Sequence, residues 1–192
     1  GRRAVSGLPA GPVRVWELET GRLVCQLSET NDQVQAMAFS PDGQRAIIHL
    51  GDPALRVWDL TGGEVLHCLA FPADRPGAVA ISPDGRWASS AVGSVLRVWD
   101  LAQAQVHHRL AGHTGTVICI AFAPNGSRLL SGSDDGELMV WDLDGGRLCA
   151  SLNLDSAGSV CGFSPDGQFA AAGGVNGEVC LLRLVGNDSV VR

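Results

Sequence analysis

Lysine and tyrosine are both absent from this sequence of 192 residues, and its 14 basic side chains are all arginine. The absence of lysine excludes chemistry that needs a primary amine, such as a Schiff base or the lysine of a phosphate-binding loop. Apolar runs reach only about eight residues, whereas a membrane-spanning helix needs roughly 20. The net charge of −6 also lacks the basic surplus that is typical of nucleic-acid-binding proteins. We therefore expect neither a membrane nor a nucleic acid as a partner.

Cysteine is present but is never clustered. No two of the six cysteines have the C-x-x-C spacing, and a zinc site needs ligands that come together. We therefore predict no metal and no cofactor. Each cysteine lies inside an apolar run, as in Val-Ile-Cys-Ile at 117–120, which indicates small buried side chains with free thiols. This usage favours an intracellular, reducing compartment, the cytoplasm before the nucleus.

The main signal in the sequence is an internal repeat of 41–42 residues. The phrase Ser-Pro-Asp-Gly occurs at 40–43, 82–85 and 164–167, with Ala-Pro-Asn-Gly at 123–126. A second phrase, Val-Trp-Asp-Leu or Val-Trp-Glu-Leu, occurs in counter-phase at 15–18, 57–60, 98–101 and 140–143. A fifth copy at 181–184 has lost both the Trp and the Asp. Eight anchors on one period indicate a repeat architecture.

Each period is typical of four short strands. In the copy that ends at residue 152, apolar or alternating segments cover 117–123, 127–133, 137–143 and 147–152. Turn residues separate them, and no segment has a sustained apolar period of 3.6 residues. Four strands in each repeat predict an all-β fold of β-propeller blades, each with four antiparallel strands.

On these residues the chain resembles the WD40 repeat family over essentially its whole length. The specific residues are Leu138-Met139-Val140-Trp141-Asp142 and the Gly112-His113 pair, with His113 placed 28 residues before Trp141. The resemblance implies blades whose first strand lines a central channel and whose fourth strand is outermost. It also implies a scaffold that binds other proteins, usually through its top face, and that has no chemistry of its own.

Alignment on the tryptophans predicts about four and a half blades. A partial blade covers 1–27, whole blades cover 28–69, 70–110 and 111–152, and a second partial blade covers 153–192. The first is expected to lack its inner strand, and the last at most to begin its fourth strand at 189–192. Since WD40 propellers usually close with more blades, we expect an incomplete ring, cut from a longer WD-repeat protein that supplies the rest. The alternative is a short ring that another chain completes.

One blade carries a complete set of polar residues that the resemblance assigns to a buried hydrogen-bond network. The set consists of His113, Ser131 or Ser133, Asp135 and Trp141. The same residue types could form a serine-hydrolase triad, but no nucleophile elbow accompanies either serine. The other blades depart from the pattern. Asp52 keeps the Asp position, whereas Gly93 and Asn176 replace it.

Other residues singled out by the repeat have structural interpretations. Arg14, Arg56 and Arg97 each precede the blade Trp by two residues, which predicts a stem that packs beside the indole and a guanidinium that reaches water or a carboxylate. Strand alternation predicts that the rings of His107 and His108 point to opposite faces. Trp87, the one Trp outside the motif, is expected to pack within its blade.

The expected top face is acidic. Its predicted loops hold Glu29, Asp32, Asp52, Asp74, Asp134, Asp135 and Asp155 against Arg75 alone. This balance favours a basic or mixed-charge peptide. Two neighbouring loops are the candidate partner-binding surface. They contribute Phe71, Asp74 and Arg75 from one loop and Glu29, Asn31 and Asp32 from the other. The alternative is that Phe71 only fills the space of the missing His.

The leading functional hypothesis is a non-catalytic protein-interaction scaffold. A propeller-based hydrolase is the alternative, but it would need polar residues on the inner strands, which read as Val-Ile-Cys-Ile-Ala-Phe and similar apolar runs. A substrate-receptor subunit of a ubiquitin ligase is a second alternative. Such receptors often carry Arg two residues after the Asp of Trp-Asp, where this chain has Thr61, Ala102 and Asp144.

Overall fold

The computed structural model of the chain describes residues 3–6, 11–27, 34–52, 54–70, 77–154, 156–185 and 189–191, with side chains described up to residue 184. These residues form nineteen β-strands in five antiparallel sheets and contain no helix. Within each sheet, every strand pairs with the next one in sequence. The all-β fold of four-stranded blades predicted from the repeat is confirmed.

The first two sheets contain strands 1–7. Sheet one consists of β1 (Arg3–Ser6), β2 (Arg14–Glu17) and β3 (Leu23–Gln26). Sheet two consists of β4 (Ala36–Phe39), β5 (Arg45–His49), β6 (Ala54–Asp59) and β7 (Val65–Ala70). Because β2 carries Trp16 of the repeated phrase, the three strands of sheet one correspond to the second, third and fourth strands of sheet two.

The remaining sheets each have four strands. Sheet three consists of β8 (Val79–Ile81), β9 (Trp87–Val92), β10 (Val95–Asp100) and β11 (Gln105–Ala111). Sheet four consists of β12 (Val117–Phe122), β13 (Arg128–Ser133), β14 (Glu137–Asp142) and β15 (Arg147–Asn153). Sheet five consists of β16 (Gly158–Phe163), β17 (Phe169–Gly174), β18 (Val179–Val185) and β19 (Ser189–Val191). The fourth strand of sheet five is thus present but only three residues long.

The turn between β4 and β5 explains the recurring Ser-Pro-Asp-Gly phrase. Ser40 Oγ donates to a carboxylate oxygen of Asp42 at 2.5 Å and accepts the backbone N–H of Arg45 at 2.9 Å. The same Asp42 oxygen accepts the N–H of Gln44 at 2.9 Å, so the side chain stabilises the turn directly. Gly43 has a φ of 69°, a left-handed conformation that glycine adopts without steric cost.

The hydrophobic core is divided among four seams, a seam being the interface between the facing sides of two neighbouring sheets. The seams bury Val15, Ile48 and Trp58 between sheets one and two; Ile47, Val57 and Trp99 between two and three; Val98, Leu129 and Trp141 between three and four; and Leu138, Val140 and Leu182 between four and five. Because side chains alternate along a strand, each blade Trp points toward the preceding sheet. The residues next to it in sequence point toward the following sheet. Each large buried side chain contributes about 1.5–3 kcal/mol.

A β-bulge interrupts the pairing of the third and fourth strands just before the Trp of sheets one to four. In sheet three, His108 lies opposite Val98 and Val106 lies opposite Trp99, so His107 is the extra residue. The ring centroids of the two histidines are 4.2 Å apart, edge to face. The prediction of rings on opposite faces was wrong because the bulge breaks the alternation at His107.

The ring of sheets is not closed. In the described part of the chain, the core clusters join consecutive sheets and none joins sheet five to sheet one. Val179 and Leu181, on the free face of sheet five, are 77% and 59% exposed. Their counterparts in sheet four, Leu138 and Val140, are buried because sheet five covers them.

Candidate functional site

His113 is the centre of a buried polar network in sheet four. It lies in the loop before β12, and its side chain is inaccessible to solvent. Its Nε2 is 2.8 Å from Ser131 Oγ on β13, and its Nδ1 is 3.1 Å from the nearer carboxylate oxygen of Asp135. The structure thus brings together three residue types that the sequence analysis singled out as either a structural network or a triad.

Trp141 and Asp135 fix the direction of two hydrogen bonds in this network. The Trp141 indole Nε1 is 2.8 Å from Ser131 Oγ and can only donate, so the serine oxygen accepts there. The Asp135 carboxylate can only accept, so the Nδ1–H of His113 donates to it. Hydrogen bonds thus connect four side chains and end on a carboxylate.

This geometry resembles a Ser-His-Asp triad, but its nucleophile is inaccessible. Ser131 is fully buried, and its oxygen is already bonded to both His113 and Trp141. A nucleophile has to reach a substrate carbonyl, with donors placed for the oxyanion that forms. The site therefore functions as a clamp that joins the loop at His113 to the second and third strands.

Asp135 anchors the loop electrostatically. Partial burial alone would raise its pKa, but backbone N–H groups of Glu137, Thr114 and Gly115, together with His113, lower the pKa of Asp135 to about 2. The N–H of Thr114 lies 2.8 Å from Oδ2, and the N–H of Glu137 lies 2.8 Å from Oδ1. One carboxylate thus holds both the turn that contains it and the loop of the neighbouring strand.

Ser133, the other serine considered for the network, lies away from the histidine. Its Oγ accepts the backbone N–H of Asp135 at 3.2 Å. The adjacent Asp134 accepts the N–H of Thr116. The first bond stabilises the β13–β14 turn, and the second joins that turn to the loop before β12. Of the two serines, Ser131 is the one that contacts His113.

In two other sheets the blade Trp also donates its indole N–H to a serine hydroxyl. The sequence analysis identified neither serine. Trp16 Nε1 donates to Ser6 Oγ at 2.7 Å, and Trp99 Nε1 donates to Ser90 Oγ at 2.9 Å. In each sheet the serine lies two residues beyond the cross-strand partner of the Trp. That register position, rather than a fixed offset in sequence, is the signal that identifies them.

Sheet two departs from this pattern. Ile48 occupies the serine position, and the buried Nε1 of Trp58 has no acceptor among the described residues. Asp52, expected to serve the network, instead binds the Arg56 guanidinium through both of its oxygens. The hydrogen bond from Arg56 lowers the pKa of Asp52. The Arg two residues before the Trp therefore binds a carboxylate here.

In sheet five, the side-chain amide of Asn176 occupies the position that the carboxylate of Asp135 has in sheet four. Asn176 Oδ1 accepts the Ser156 hydroxyl at 2.8 Å and the backbone N–H of Glu178 at 3.1 Å. It therefore joins turn and loop as Asp135 does, without a charge.

Trp87 packs beside the core of the seam between sheets three and four. The guanidinium carbon of Arg86 lies 4.4 Å from its ring centroid, and the His107 centroid lies 4.5 Å away. Arg86 and His107 thus both contact the Trp87 indole, the arginine as a cation over the ring.

The top face is the end of the sheets formed by the loops that lead into inner strands and by the turns between second and third strands. Its described carboxylates are Asp52, Asp134, Asp135, Glu137 and Glu178. Asp52 is neutralised by Arg56, and Asp135 is held by its network. Asp134 and Glu178 remain exposed.

All six candidate partner-binding residues lie outside the described residues. They are Glu29, Asn31, Asp32, Phe71, Asp74 and Arg75. The described residues on either side, Leu27 and Val34 for one loop and Ala70 and Gly77 for the other, join a fourth strand to the inner strand of the following sheet. Both loops therefore connect elements at the top face.

The sequence model of the family described as "WD domain, G-beta repeat" matches residues 62–100, 104–142 and 150–182, which is more than half of the chain. The chain belongs to the WD40 repeat family. Each WD40 match begins at or near the fourth strand of one sheet and ends on the third strand of the next, at or beside the position of the Trp-Asp phrase. One sequence repeat therefore spans two sheets and links them covalently.

Membership in the WD40 family supports a general role in binding other proteins, and the family is generally non-catalytic. Among the described residues, no group of three or more His, Cys, Asp or Glu is arranged to hold a metal ion. Over the same residues, no helix has the length and apolar character needed to cross a membrane.

Proposed function

We propose that this chain is part of a WD40 propeller that binds basic segments of other proteins through its top face and catalyses no reaction. The observation that carries the proposal is the pair of exposed carboxylates on the described top face. On the described top face, Asp134 and Glu178 are exposed, and the Arg56 guanidinium is already bound to Asp52. A cationic peptide would supply the charge that this face lacks.

The opposite end of the sheets carries charges of both signs. Its arginines include Arg45, Arg86, Arg128, Arg147 and Arg183, and its carboxylates include Asp42, Asp59, Asp84, Asp142 and Asp166. Arg147 Nε lies 3.5 Å from Asp142 Oδ2, so part of this charge is paired. A cationic segment bound at this end would meet arginines as well as carboxylates.

The inaccessible Ser131 supports a scaffold over a hydrolase. The inner strand β12 exposes Ile118 to the channel, and β16 exposes Val160. Neither side chain can act as an acid, a base or a nucleophile. A propeller of this composition is suited to holding a partner in position.

The two loops at 28–33 and 71–76 belong to this proposal. Phe71 and Arg75 are of the residue types that most often anchor interfaces, and Pro72 and Pro76 limit the conformations of the loop that holds them. Glu29 and Asp32 would add two carboxylates for a cationic partner. A peptide of mixed charge could thus contact the acidic loop and Arg75 together.

The charge proposal is tested by fluorescence anisotropy with an Arg/Lys-rich peptide. Asp134→Asn keeps an oxygen for the Thr116 N–H and removes the charge, and Glu178→Gln is its partner variant. Each should weaken binding by about two- to fivefold, as expected for exposed ion pairs worth up to ~1 kcal/mol. Matched controls at the opposite end are Glu64→Gln and Asp144→Asn, both at exposed positions. Equal losses in the controls would contradict the proposed face.

The loop proposal needs its own test. In the full-length protein, Phe71→Ala and Arg75→Ala should each reduce recovery of native partners in a pulldown without lowering the melting temperature. A lower melting temperature for Phe71→Ala with an unchanged set of partners would identify Phe71 as a packing residue and overturn the docking proposal.

A further inference from the structure

The inner strands of sheets two to five line an open channel with two cysteines in its wall. The cavity has a volume of about 350 Å³ and is lined by residues of β4, β8, β12 and β16 together with their flanking residues. Cys119 on β12 and Cys161 on β16 both line it. Ile118 and Val160, beside them in the wall, are 42% and 61% exposed, so solvent enters the channel.

The register of the two strands makes the two thiols face each other. Cys119 pairs with Gly132 on β13, and the corresponding pair in sheet five is Val160 with Gly173. Cys161 is therefore one position out of phase with Cys119, and alternation sends it to the opposite side of its own sheet. Since neighbouring sheets stack face to face, Cys119 points toward sheet five and Cys161 points back toward sheet four.

Contacts with β13 agree with this orientation. Cys119 Sγ lies 4.0 Å from the Gly132 carbonyl oxygen, and Cys161 Sγ lies 4.0 Å from the Leu130 carbonyl oxygen. Leu130 belongs to the core of the seam between sheets four and five, and Cys161 packs against that core. Both sulfurs therefore lie against the same face of one strand.

Gly132 provides the space for this arrangement. A Cβ at this position would lie only 2.8 Å from Cys119 Sγ and 3.6 Å from Gly158 Cα of the next sheet. Any side chain here would displace the thiol or separate the sheets.

We propose that Cys119 and Cys161 are a dithiol that hydrogen peroxide oxidises to a disulfide joining the inner strands of sheets four and five. The thiolate of one cysteine attacks one peroxide oxygen, the O–O bond breaks, and a sulfenic acid and a hydroxide are formed. The hydroxide takes up the proton that this thiol had released and becomes the first water. The sulfur of the other cysteine then attacks the sulfenic sulfur, the S–O bond breaks, and the second water leaves with the proton of that thiol. Two thiols lose two electrons, and one peroxide is reduced to two waters.

The two thiols also interact with each other. The hydrogen bond from Cys161 lowers the pKa of Cys119. The same hydrogen bond, together with burial, raises the pKa of Cys161. This interaction agrees with the facing geometry of the pair.

The proposal is tested by peptide mapping after treatment with hydrogen peroxide. Because the chain has no lysine, trypsin releases residues 110–128, which hold Cys119, and Asp-N releases residues 155–165, which hold Cys161. A disulfide-linked pair of these peptides should form at peroxide concentrations at which Cys149 and Cys180 stay reduced and are alkylated after denaturation. Cys68→Ser removes the exposed thiol and should leave the link unchanged. Linkage at random among the cysteines, or oxidation of Cys119 without any link, would overturn the proposal.

A second measurement starts from the native chain, so it tests the facing geometry even if a cysteine variant fails to fold. Phenylarsine oxide, which bridges two neighbouring thiols, should bind the reduced native chain with one arsenic per molecule. Cys119→Ala and Cys161→Ala should each abolish binding, whereas Cys68→Ser should not. Binding that survives both alanine variants, or no binding to the native chain, would contradict the facing geometry.

Discussion

Trp141 Nε1 and His113 Nε2 both contact the same serine oxygen, and each lies 2.8 Å from Ser131 Oγ. The indole can only donate, so the serine oxygen accepts its N–H. The residue that defines the repeat is therefore connected to the loop histidine through one serine oxygen. In sheets one and three the Trp–Ser bond is present, and Ser6 or Ser90 supplies the oxygen.

The first prediction concerns the shared oxygen. Ser131→Ala should lower the free energy of unfolding by about 1–3 kcal/mol, because it orphans the buried Trp141 N–H and His113 Nε2. Urea denaturation measures this. Ser89→Ala is the matched control. Ser89 is as deeply buried, but its hydroxyl has no partner among the described residues, so its loss should cost little. Equal losses in the two variants would contradict the network.

The second prediction compares two tryptophans. Trp99→Phe removes the indole N–H that donates to the buried Ser90 hydroxyl. Trp58→Phe removes an N–H that has no acceptor among the described residues. Both indoles are nearly fully buried, so the loss of packing is similar. Trp99→Phe should therefore destabilise more than Trp58→Phe, by about 1 kcal/mol. Thermal unfolding of the two variants tests the difference, and a reversed order would be inconsistent with the Trp–Ser bond.

The third prediction concerns the stability of the chain at acidic pH. The pKa of Asp135 is about 2 in the folded chain, below its ordinary value of 3.8. A carboxyl whose pKa falls on folding contributes stability that is complete above the unfolded pKa and is lost as the pH falls through the folded pKa. The free energy of unfolding should therefore decline between about pH 4 and pH 2. Asp135→Asn should be less stable near neutral pH and should show a shallower decline. An unchanged slope would refute this role.

The fourth prediction concerns the free face of sheet five. Val179 and Leu181 are exposed there, whereas Leu138 and Val140 at the same positions of sheet four are buried. Exposed apolar faces favour association. The double variant Val179→Glu/Leu181→Glu should reduce self-association in sedimentation velocity without lowering the melting temperature. Leu138→Glu/Val140→Glu should prevent folding. Self-association that persists in the first variant would indicate another surface.

The sheets could be predicted from the sequence because the information is local. Turn phrases such as Ser40-Pro41-Asp42-Gly43 carry their own hydrogen bonds, and alternation around Val140 separates the two sides of a strand. The choice between Ser131 and Ser133 could not be made, because residues two apart face the same side. Only the pairing with β14 decides it.

Three other features depend on register, which counting along the chain does not provide. Ser90 lies nine residues before its Trp and Ser131 lies ten before, because the turn between β9 and β10 is shorter. The bulge at His107 reverses the expected direction of a ring. The facing of Cys119 and Cys161 depends on the pairing of β12 and β16 with their second strands, which places the two cysteines one position apart.

The most direct test of the scaffold proposal is hydrogen exchange of the chain, alone and saturated with an Arg/Lys-rich peptide, read by mass spectrometry. The acidic top face predicts slower exchange in segments 112–116 and 134–137 in the presence of the peptide. Exchange should be unchanged in 124–127 and 143–146, at the opposite end of the same sheet. Slower exchange at 124–127 and 143–146, with none at the top face, would contradict the proposal.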